Sequence, residues 1–476
     1  MTNSLKFAEL GEEYYSRVET QSLENTHLIH VNKELKSKLD LNLSEKELLG
    51  VCTGEAKLDG IEPLSSVYAG HQFGYFVPQL GDGRSCLIGE ANGYELSLKG
   101  AGTTPYSRGA DGRAVLRSSI REYLCSIAME GLNIPTTEAL AIAASDTDVY
   151  REHVESGAIV TRVAKSHIRF GHFELFASRG QTAEVKKLAD FVIDHYYPQL
   201  KGKDSYLQLF KTVILSTAVM IARWQAQGFA HGVMNSDNMS ILGLTIDYGP
   251  FSFMETYNPS FICNHSDHQG RYSFERQPSV ALWNLDRLAN AIRSLIDENH
   301  LKEALAEYEG FLVTEYSALM RQKFGLVVVY EDDSKLVNDY LQLLYTHKKD
   351  YPLSMRLLSK EDNQMGSDFD SWFERYDQRL TQEKIKPDQR KKSMDSVNPK
   401  YVLRNYLAEV AIRKAEDQHQ YDEIDTLFNL LKNPFDEHEG FDSYTKEAPE
   451  WAKNLVLSLS LIHISEPTRP RLISYA

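Results

Sequence analysis

Between about residues 61 and 180, short apolar runs alternate with glycine-marked turns: SCLIGE at 85–90, YELSLKG at 94–100 and GAIVTRVA at 157–164. Runs of this length, rich in branched residues and bounded by glycine, predict strands. One passage in this region has a different period. In RAVLRSSIREYLCSIAMEGLNIP, Val115, Leu116, Ile120, Tyr123, Leu124 and Ile127 recur at helical spacing, and the pattern stops at Gly131 with Pro135 beyond, which predicts an amphipathic helix among the strands. From 181 to 380 the period is helical, and SYLQLFKTVILSTAVMIARWQAQG reads as a long buried helix ending at Gly228. A polar loop-and-strand passage, HGVMNSDNMSILGLTIDYGPF, follows directly. Residues 1–60, with apolar positions thinly spaced, read as a helical and loop-rich extension to which no chemistry is assigned. Residues 381–399 are charged, proline-punctuated and poor in apolar residues, and read as a linker before a helical segment at 400–458 that begins near YVLRNYLAEVAIRKAE. The expectation is an α+β protein of two lobes.

Composition narrows the class. Of 476 residues, 42% are hydrophobic and 25% charged, enough apolar material for a large core. The formal net charge of −15 argues against a surface devoted to nucleic acid or anionic membrane. Four scattered cysteines without a C-x-x-C pair indicate neither a disulfide framework nor a zinc ribbon. The first twenty residues are acidic and lack the apolar run of a sorting signal, and the longest apolar stretch, 213–222, is too short to span a bilayer. A cytoplasmic protein is expected. Residues 459–476, LSLIHISEPTRPRLISYA, break with the style of the preceding chain and resemble a translated sequencing-adapter end, so they are expected to be foreign to the natural protein.

Several residues could carry chemistry. Lys99 lies in a strand-like run and Glu122 is 23 residues downstream on the amphipathic helix; a strand lysine held by a helix glutamate is how kinase-like folds fix a cation over nucleotide phosphates. The alternative is a solvated lysine and an unrelated glutamate. After the long helix come His231, Asn238 seven positions later and Asp247-Tyr248-Gly249 nine positions after that, which is the kinase order of catalytic loop and metal-binding Asp-x-Gly. The aspartate expected two residues after the histidine is replaced by Val233, and a carboxylate appears instead at Asp237. An ordinary Asn/Asp-rich turn is the plainer reading. The clamp is kept and the usual base is not. Gly81, Gly83 and Arg84 in QLGDGRS, and Asp111, Gly112 and Arg113 in RGADGRAV, offer close backbone approach and guanidinium donors to phosphate, though neither passage has a Walker or dinucleotide spacing. Arg162 and Arg169 could face phosphate or make surface ion pairs. Cys263, His265, Asp267 and His268 have a zinc-like composition with no established spacing, and are read as a loop shaping the cleft.

The blocks YAGHQFGYFVPQLGDGR, LKGAGTTPYSRGADGRAVLRSSIREYL, NIPTTEAL, HGVMNSDNMSILGLTIDYGPF, CNHSDHQGRY and NPKYVLRNYLAE, spanning about residues 60 to 458, resemble the selenoprotein O (YdiU-type) family of protein adenylyltransferases. The resemblance implies a protein-kinase-like two-lobed fold with family-specific helical extensions, in which ATP sits inverted and AMP passes to Ser, Thr or Tyr hydroxyls of proteins with loss of pyrophosphate. It implies that Lys99 and Glu122 form the ion pair and that Gly81, Gly83, Arg84, Lys99, Asp111, Gly112, Arg162, Arg169 and Asp247 contact the nucleotide. It further implies that Asp237 accepts the proton and that Asn238 and Asp247 hold Mg²⁺, with Mn²⁺ as a substitute and UTP as a side substrate. Family members often end in a short tail bearing cysteine or selenocysteine; here that place is taken by the foreign-looking residues, which leaves Cys263 without the thiol partner the resemblance would supply. The expected partners are ATP and hydroxyl-bearing proteins, with no nucleic acid or membrane, and the expected state is a monomer. Two other functions fit the residues: a conventional phosphotransferase in which Asp237 is the base, and a silent nucleotide-binding scaffold.

Overall fold

The computed structural model describes residues 5–360 and 364–452. The architecture is mixed α+β. Nine strands form one antiparallel sheet: β1 (Tyr15–Arg17), β2 (His27–Val31), β3 (Leu64–Gln72), β4 (Tyr75–Gly81), β5 (Ser85–Ala91), β6 (Tyr94–Lys99), β7 (Ala114–Val115), β8 (Glu138–Tyr150) and β9 (Val154–Ala164). The spatial order is β1-β3-β5-β6-β9-β8-β2, with β4 paired to β3 and β7 to β9. Asn92 and Gly93, both at positive φ, close the β5–β6 hairpin opposite the Ala91–Tyr94 pair, as a two-residue turn matched to strand twist requires.

Alternation along the central strands sorts the two faces. Ile159 and Val163 on β9 join Leu96 and Leu98 on β6 in a core closed by Leu48 and Val51 of the Glu45–Thr53 helix. Ala158 and Val160 face the other way, toward Ile120, Tyr123, Leu124 and Ile127 of the Leu116–Gly131 helix. Ser97 pairs with Arg162 and Lys99 with Val160, so Lys99 and Arg162 emerge on this second face. The same period that buries the core therefore places two cations under one helix.

Beyond the sheet the described chain is mainly helical. The Ser205–Gln227 helix ends at Gly228 in the left-handed conformation. By length and composition it could cross a membrane, but Phe210, Val213, Ile214, Ile221 and Trp224 lie in the main core, as in the central helix of a globular fold. It is followed by a two-stranded ribbon, Phe229–Ala230 with Ser252–Phe253, that closes off the 231–251 loop at its base. A separate apolar cluster gathers Phe324, Tyr340, Met355, Trp372, Tyr376 and Met394. The Asn405–Gln418 and Asp422–Lys432 helices fold back on the Leu116–Gly131 helix, where Arg117 reaches Glu409 (2.8 Å) and Glu416 (3.1 Å).

Two segments carry more structure than the hydrophobic pattern predicts. Within 1–60, β1 and β2 are edge strands whose register comes from β3 and β8; strands of three and five residues are too short to show a readable period. Within 381–399, Pro387–Asp395 is helical with proline in its first turn, and Met394 is buried beside Gly325 and Tyr376, so one apolar residue anchors an otherwise charged helix. The expectation for 459–476 lies outside the described residues.

The Phe170–Ser178 helix crosses β3 so closely that a Cβ on Gly171 would lie 2.2 Å from the Ala69 carbonyl oxygen. Gly171→Ala is expected to destabilise the protein by about 1–3 kcal/mol; urea denaturation measures it, and an unchanged midpoint would contradict the close crossing.

Candidate active site

A cleft of about 210 Å³ opens between the β3–β6 edge of the sheet and the 231–251 loop. Lys99 ends β6, and its ammonium donates to Glu122 Oε2 from the Leu116–Gly131 helix; both side chains are almost fully buried. Burial lowers the Lys99 pKa, Glu122 opposes the change, and nearby Arg84 adds to it, leaving it below the ordinary lysine value. Arg162 stands beside the pair, with Nη1 3.8 Å from Glu122 Oε1 and Nη2 donating to Ser85 Oγ at 2.9 Å.

Three cations converge on Asp247. Arg169 Nη1 donates to its Oδ2 (2.9 Å), while Arg162 Nη1 and Lys99 Nζ lie 3.6 Å and 3.7 Å from its Oδ1. Burial favours the neutral acid, but the fields of Arg169, Lys99 and Arg162 together outweigh it and hold the carboxyl well below the usual carboxylate range. Asp247 adopts φ +62°, a left-handed conformation that costs about 1–2 kcal/mol in a residue with a side chain. Only a closely determined environment sustains it. Arg169 is placed by its own backbone neighbourhood: it pairs with Ser240 in an isolated bridge, and Phe170 N donates to Met239 O. Its guanidinium stacks over Tyr68 (5.0 Å) and also reaches Asp237 O (2.9 Å) and Asn238 Oδ1 (3.4 Å).

Asp237 sits in the Ser236–Asn238 turn, with Oδ2 accepting from Gln72 Nε2 at 3.3 Å and Oδ1 buried without a hydrogen-bond partner. Burial raises its pKa to about 7, with Arg169 and Gln72 pulling in the other direction. The β3–β4 hairpin is docked onto this turn. His71 N donates to Ser236 Oγ (2.7 Å), and Phe73 N to Asn235 Oδ1 (3.2 Å) and Tyr272 Oη (2.9 Å). Gly70 is needed where strand and carboxylate meet, because a Cβ there would fall 2.5 Å from Asp237 Oδ1.

The glycine passages form the opposite wall. A Cβ on Gly83 would meet Tyr106 O at 2.8 Å, and one on Gly112, at φ +67°, would meet Gly102 O at 2.1 Å, so both loops depend on glycine to approach their neighbours. Gly81 lines the same wall, and Arg84 lines the cleft in the fields of Asp247 and Glu122, with no carboxylate at ion-pair distance among the described residues. Asp111 is engaged, accepting from Arg113 N (2.9 Å) and pairing with Arg151 Nη1 (2.6 Å), so it orders its loop.

Thus Gly81, Gly83, Arg84, Lys99, Asp111, Gly112, Arg169, Asp237, Asn238 and Asp247 line one cleft, with Glu122 and Arg162 behind it. His231 is outside: its Nε2 bonds Ile246 O (2.8 Å), its ring stacks on Trp224, and burial lowers its pKa. The Cys263–His268 passage braces the fold. Cys263 packs against Gly232, and Asp267 accepts from Arg271 N (2.9 Å) and Tyr272 N (2.6 Å). No group of three or more metal-ligating residues occurs among the described residues. Gln72, Tyr68 and Asp82 also belong to the site, and sequence reasoning gives none of them a role; the YAGHQFGYF block contains two of them, but nothing in a strand-like run distinguishes an aromatic stacking partner from core. Asp82 fixes the turn by accepting from Ser66 Oγ at 2.7 Å and lies 3.8 Å from Arg169.

A metal can be tested against this donor set. Asn238 Oδ1 and Asp247 Oδ2 both accept from the same Arg169 nitrogen, so the two hard oxygens are neighbours, and the point between them is held by the guanidinium in this structure. One carboxylate and one amide oxygen suit Mg²⁺, which completes its shell with phosphate and water.

Comparison with known proteins gives this geometry a family. The family model described as protein adenylyltransferase SelO matches residues 1–432. The chain belongs to the SelO family of protein adenylyltransferases. It is 48% identical to the protein nucleotidyltransferase YdiU of Thiobacillus denitrificans, over 95% of this chain and 97% of that one. It is likewise 48% identical to the protein of the same name from Vibrio vulnificus, over 96% and 98%. The protein is a nucleotidyltransferase.

Lys99→Met is expected to cost about 3 kcal/mol of stability, because it leaves the buried Glu122 carboxyl without the ammonium that donates to it; Lys99→Met with Glu122→Leu should cost less than the single change, as measured by urea denaturation. Arg84→Gln should weaken ATP binding about 10-fold or more at unchanged melting temperature, since no ion pair is lost; calorimetric titration reads the affinity.

Proposed function

We propose that the protein is a Mg²⁺-dependent adenylyltransferase that moves AMP from ATP to Ser, Thr or Tyr hydroxyls of proteins, within a protein-kinase-like two-lobed fold in which the triphosphate lies inverted. The observation that carries this reading is the excess of cations. Lys99, Arg84, Arg162 and Arg169 crowd the cleft against Glu122, Asp247 and Asp82, with Asp237, whose pKa burial raises to about 7, only partly ionised. Such a cluster is poorly neutralised without a polyanion, and a nucleotide triphosphate supplies the missing charge.

In this mechanism Lys99, held by Glu122, and the arginines neutralise the phosphates and orient the α-phosphorus toward the protein substrate. Asn238 and Asp247 would hold Mg²⁺, which when bound stabilises charge on the α-phosphate and the departing pyrophosphate. Asp237 draws the proton from the attacking hydroxyl as the new oxygen–phosphorus bond forms and the α–β bridge breaks. A carboxylate near pKa 7 suits that proton transfer, being ionised above neutrality yet basic enough to accept a proton. Gln72 orients that carboxylate, and Val233, which lines the cleft in place of the kinase aspartate, contributes no proton acceptor. The clamp grips phosphates and does not itself read the base, which supports use of UTP and Mn²⁺ as alternatives. The reading includes a monomeric cytoplasmic enzyme without nucleic-acid or membrane partners, in keeping with the net charge of −15.

Incubation with α-labelled ATP should label protein and γ-labelled ATP should not; label from the γ position alone would make the protein a phosphotransferase. Asp237→Asn should lower AMP transfer about 10²–10⁴-fold while ATP still binds. Because the free acid cannot accept a proton, kcat/KM should rise with pH up to about 7 and level off above it. A flat profile from about pH 5.5 to 8.5 would remove Asp237 from the role of base.

A further inference from the structure

Past the tip of the β3–β4 hairpin, the surface has an unusual composition. Tyr75 is 80% exposed and Phe76 40% exposed. Next to them the Arg271 and Arg287 guanidinium groups lie over Trp283, 4.7 Å and 5.0 Å from its ring centroid. Among the described residues Arg271 has no carboxylate at ion-pair distance, and Arg287 pairs only with Asp286, its chain neighbour. Exposed Tyr75 and Phe76 beside half-buried Trp283, Arg271 and Arg287, with Nε of both arginines buried and lacking a hydrogen-bond partner, give the composition of a binding surface, and a cationic ledge on a chain of net charge −15 is a local reversal of sign.

The ledge is tied to the reacting groups. Gly74 lies against Arg271, where a Cβ would fall 3.3 Å from the guanidinium carbon, two residues beyond Gln72, which binds Asp237. Arg271 is itself fixed in position: Asp267 accepts from its backbone N–H and from that of Tyr272, whose hydroxyl donates to Asn235 Oδ1 at 2.6 Å. One hydrogen-bonded unit thus holds both the proton acceptor and the ledge.

We propose that Arg271, Trp283 and Arg287, with Tyr75, dock an acidic segment of the protein substrate by its Asp or Glu side chains. This rests on the adenylyl-transfer reading and names the substrate class for it. Guanidinium forks match carboxylates in two-point contacts, and the exposed rings give the segment apolar cover. An extended polyanion such as nucleic acid would meet the acidic remainder of the surface, so a short carboxylate-bearing peptide is the occupant that fits.

Two fluorescent peptides of about fifteen residues without Ser, Thr or Tyr test this by anisotropy, one bearing an Asp/Glu cluster and the other Asn/Gln at the same positions. The full chain should bind the acidic peptide about 10-fold tighter or better, the preference should shrink as salt rises, and R271Q/R287Q should abolish it at unchanged melting temperature. Equal affinities, no saturable binding of the acidic peptide, or a preference retained in the variant would overturn the proposal, as would single-stranded DNA binding the ledge as tightly as the peptide. With hydroxyl-bearing versions, the variant should raise KM for the acidic peptide about 10-fold at unchanged kcat and leave self-modification by AMP intact. Because anisotropy needs no turnover, loss of AMP transfer with binding preserved would refute the function and spare the ledge, and the converse pattern would do the reverse.

Discussion

The site depends on one carboxylate held among cations. Asp247 receives Arg169 directly, with Arg162 and Lys99 just beyond contact, and each cation comes from a different part of the fold: β6, β9 and the residue preceding the Phe170–Ser178 helix. Like charges at these separations repel unless an anion lies between them, so Asp247 and Glu122 together make the cluster tolerable in a buried setting. The left-handed backbone at Asp247 is the conformational cost of that position. A nucleotide would take over the role of counter-ion for the cations that face the cleft, which links binding to the same electrostatics that order the site.

A second unit sets the surroundings of Asp237. The hairpin between β3 and β4 lies on the Asn235–Asn238 turn through backbone donors, and the absence of side chains at Gly70 and Gly74 lets strand and loop touch. Burial produced by that contact raises the Asp237 pKa, so the packing of a hairpin determines the chemistry of a carboxyl group. The Asp267–Tyr272 loop holds the far side of the same unit, which gives the histidine-rich passage a role in positioning.

The helical remainder supports this arrangement. The Asn405–Gln418 and Asp422–Lys432 helices pack on the outer side of the Leu116–Gly131 helix, and Leu431 O lies so close to Gly131 that a Cβ there would stand 2.1 Å away. Glu122 therefore sits on a helix braced from both sides, by the sheet and by segments nearly three hundred residues later.

Much of this was legible in one dimension. The strand period placed Lys99 on β6, the helical period placed Glu122 on the following helix, and the order Asn238, Asp247 marked the loop, because local period and spacing are properties of neighbouring residues; the family resemblance rested on the same long blocks. The edge strands of residues 1–60 and the helix within 381–399 were not legible, since the strands are too short to show a period and take their register from distant partners, and the helix buries only Met394. Nor did sequence show that Gln72 would meet Asp237, that Asp111 would engage Arg151, or that the Cys263–His268 residues would brace backbone. Sequence alone determined which groups could carry charge and on what elements. Tertiary structure decided which of them would share a low-dielectric space, because burial and separation, on which every pKa and ion pair here depends, do not exist until the chain has folded.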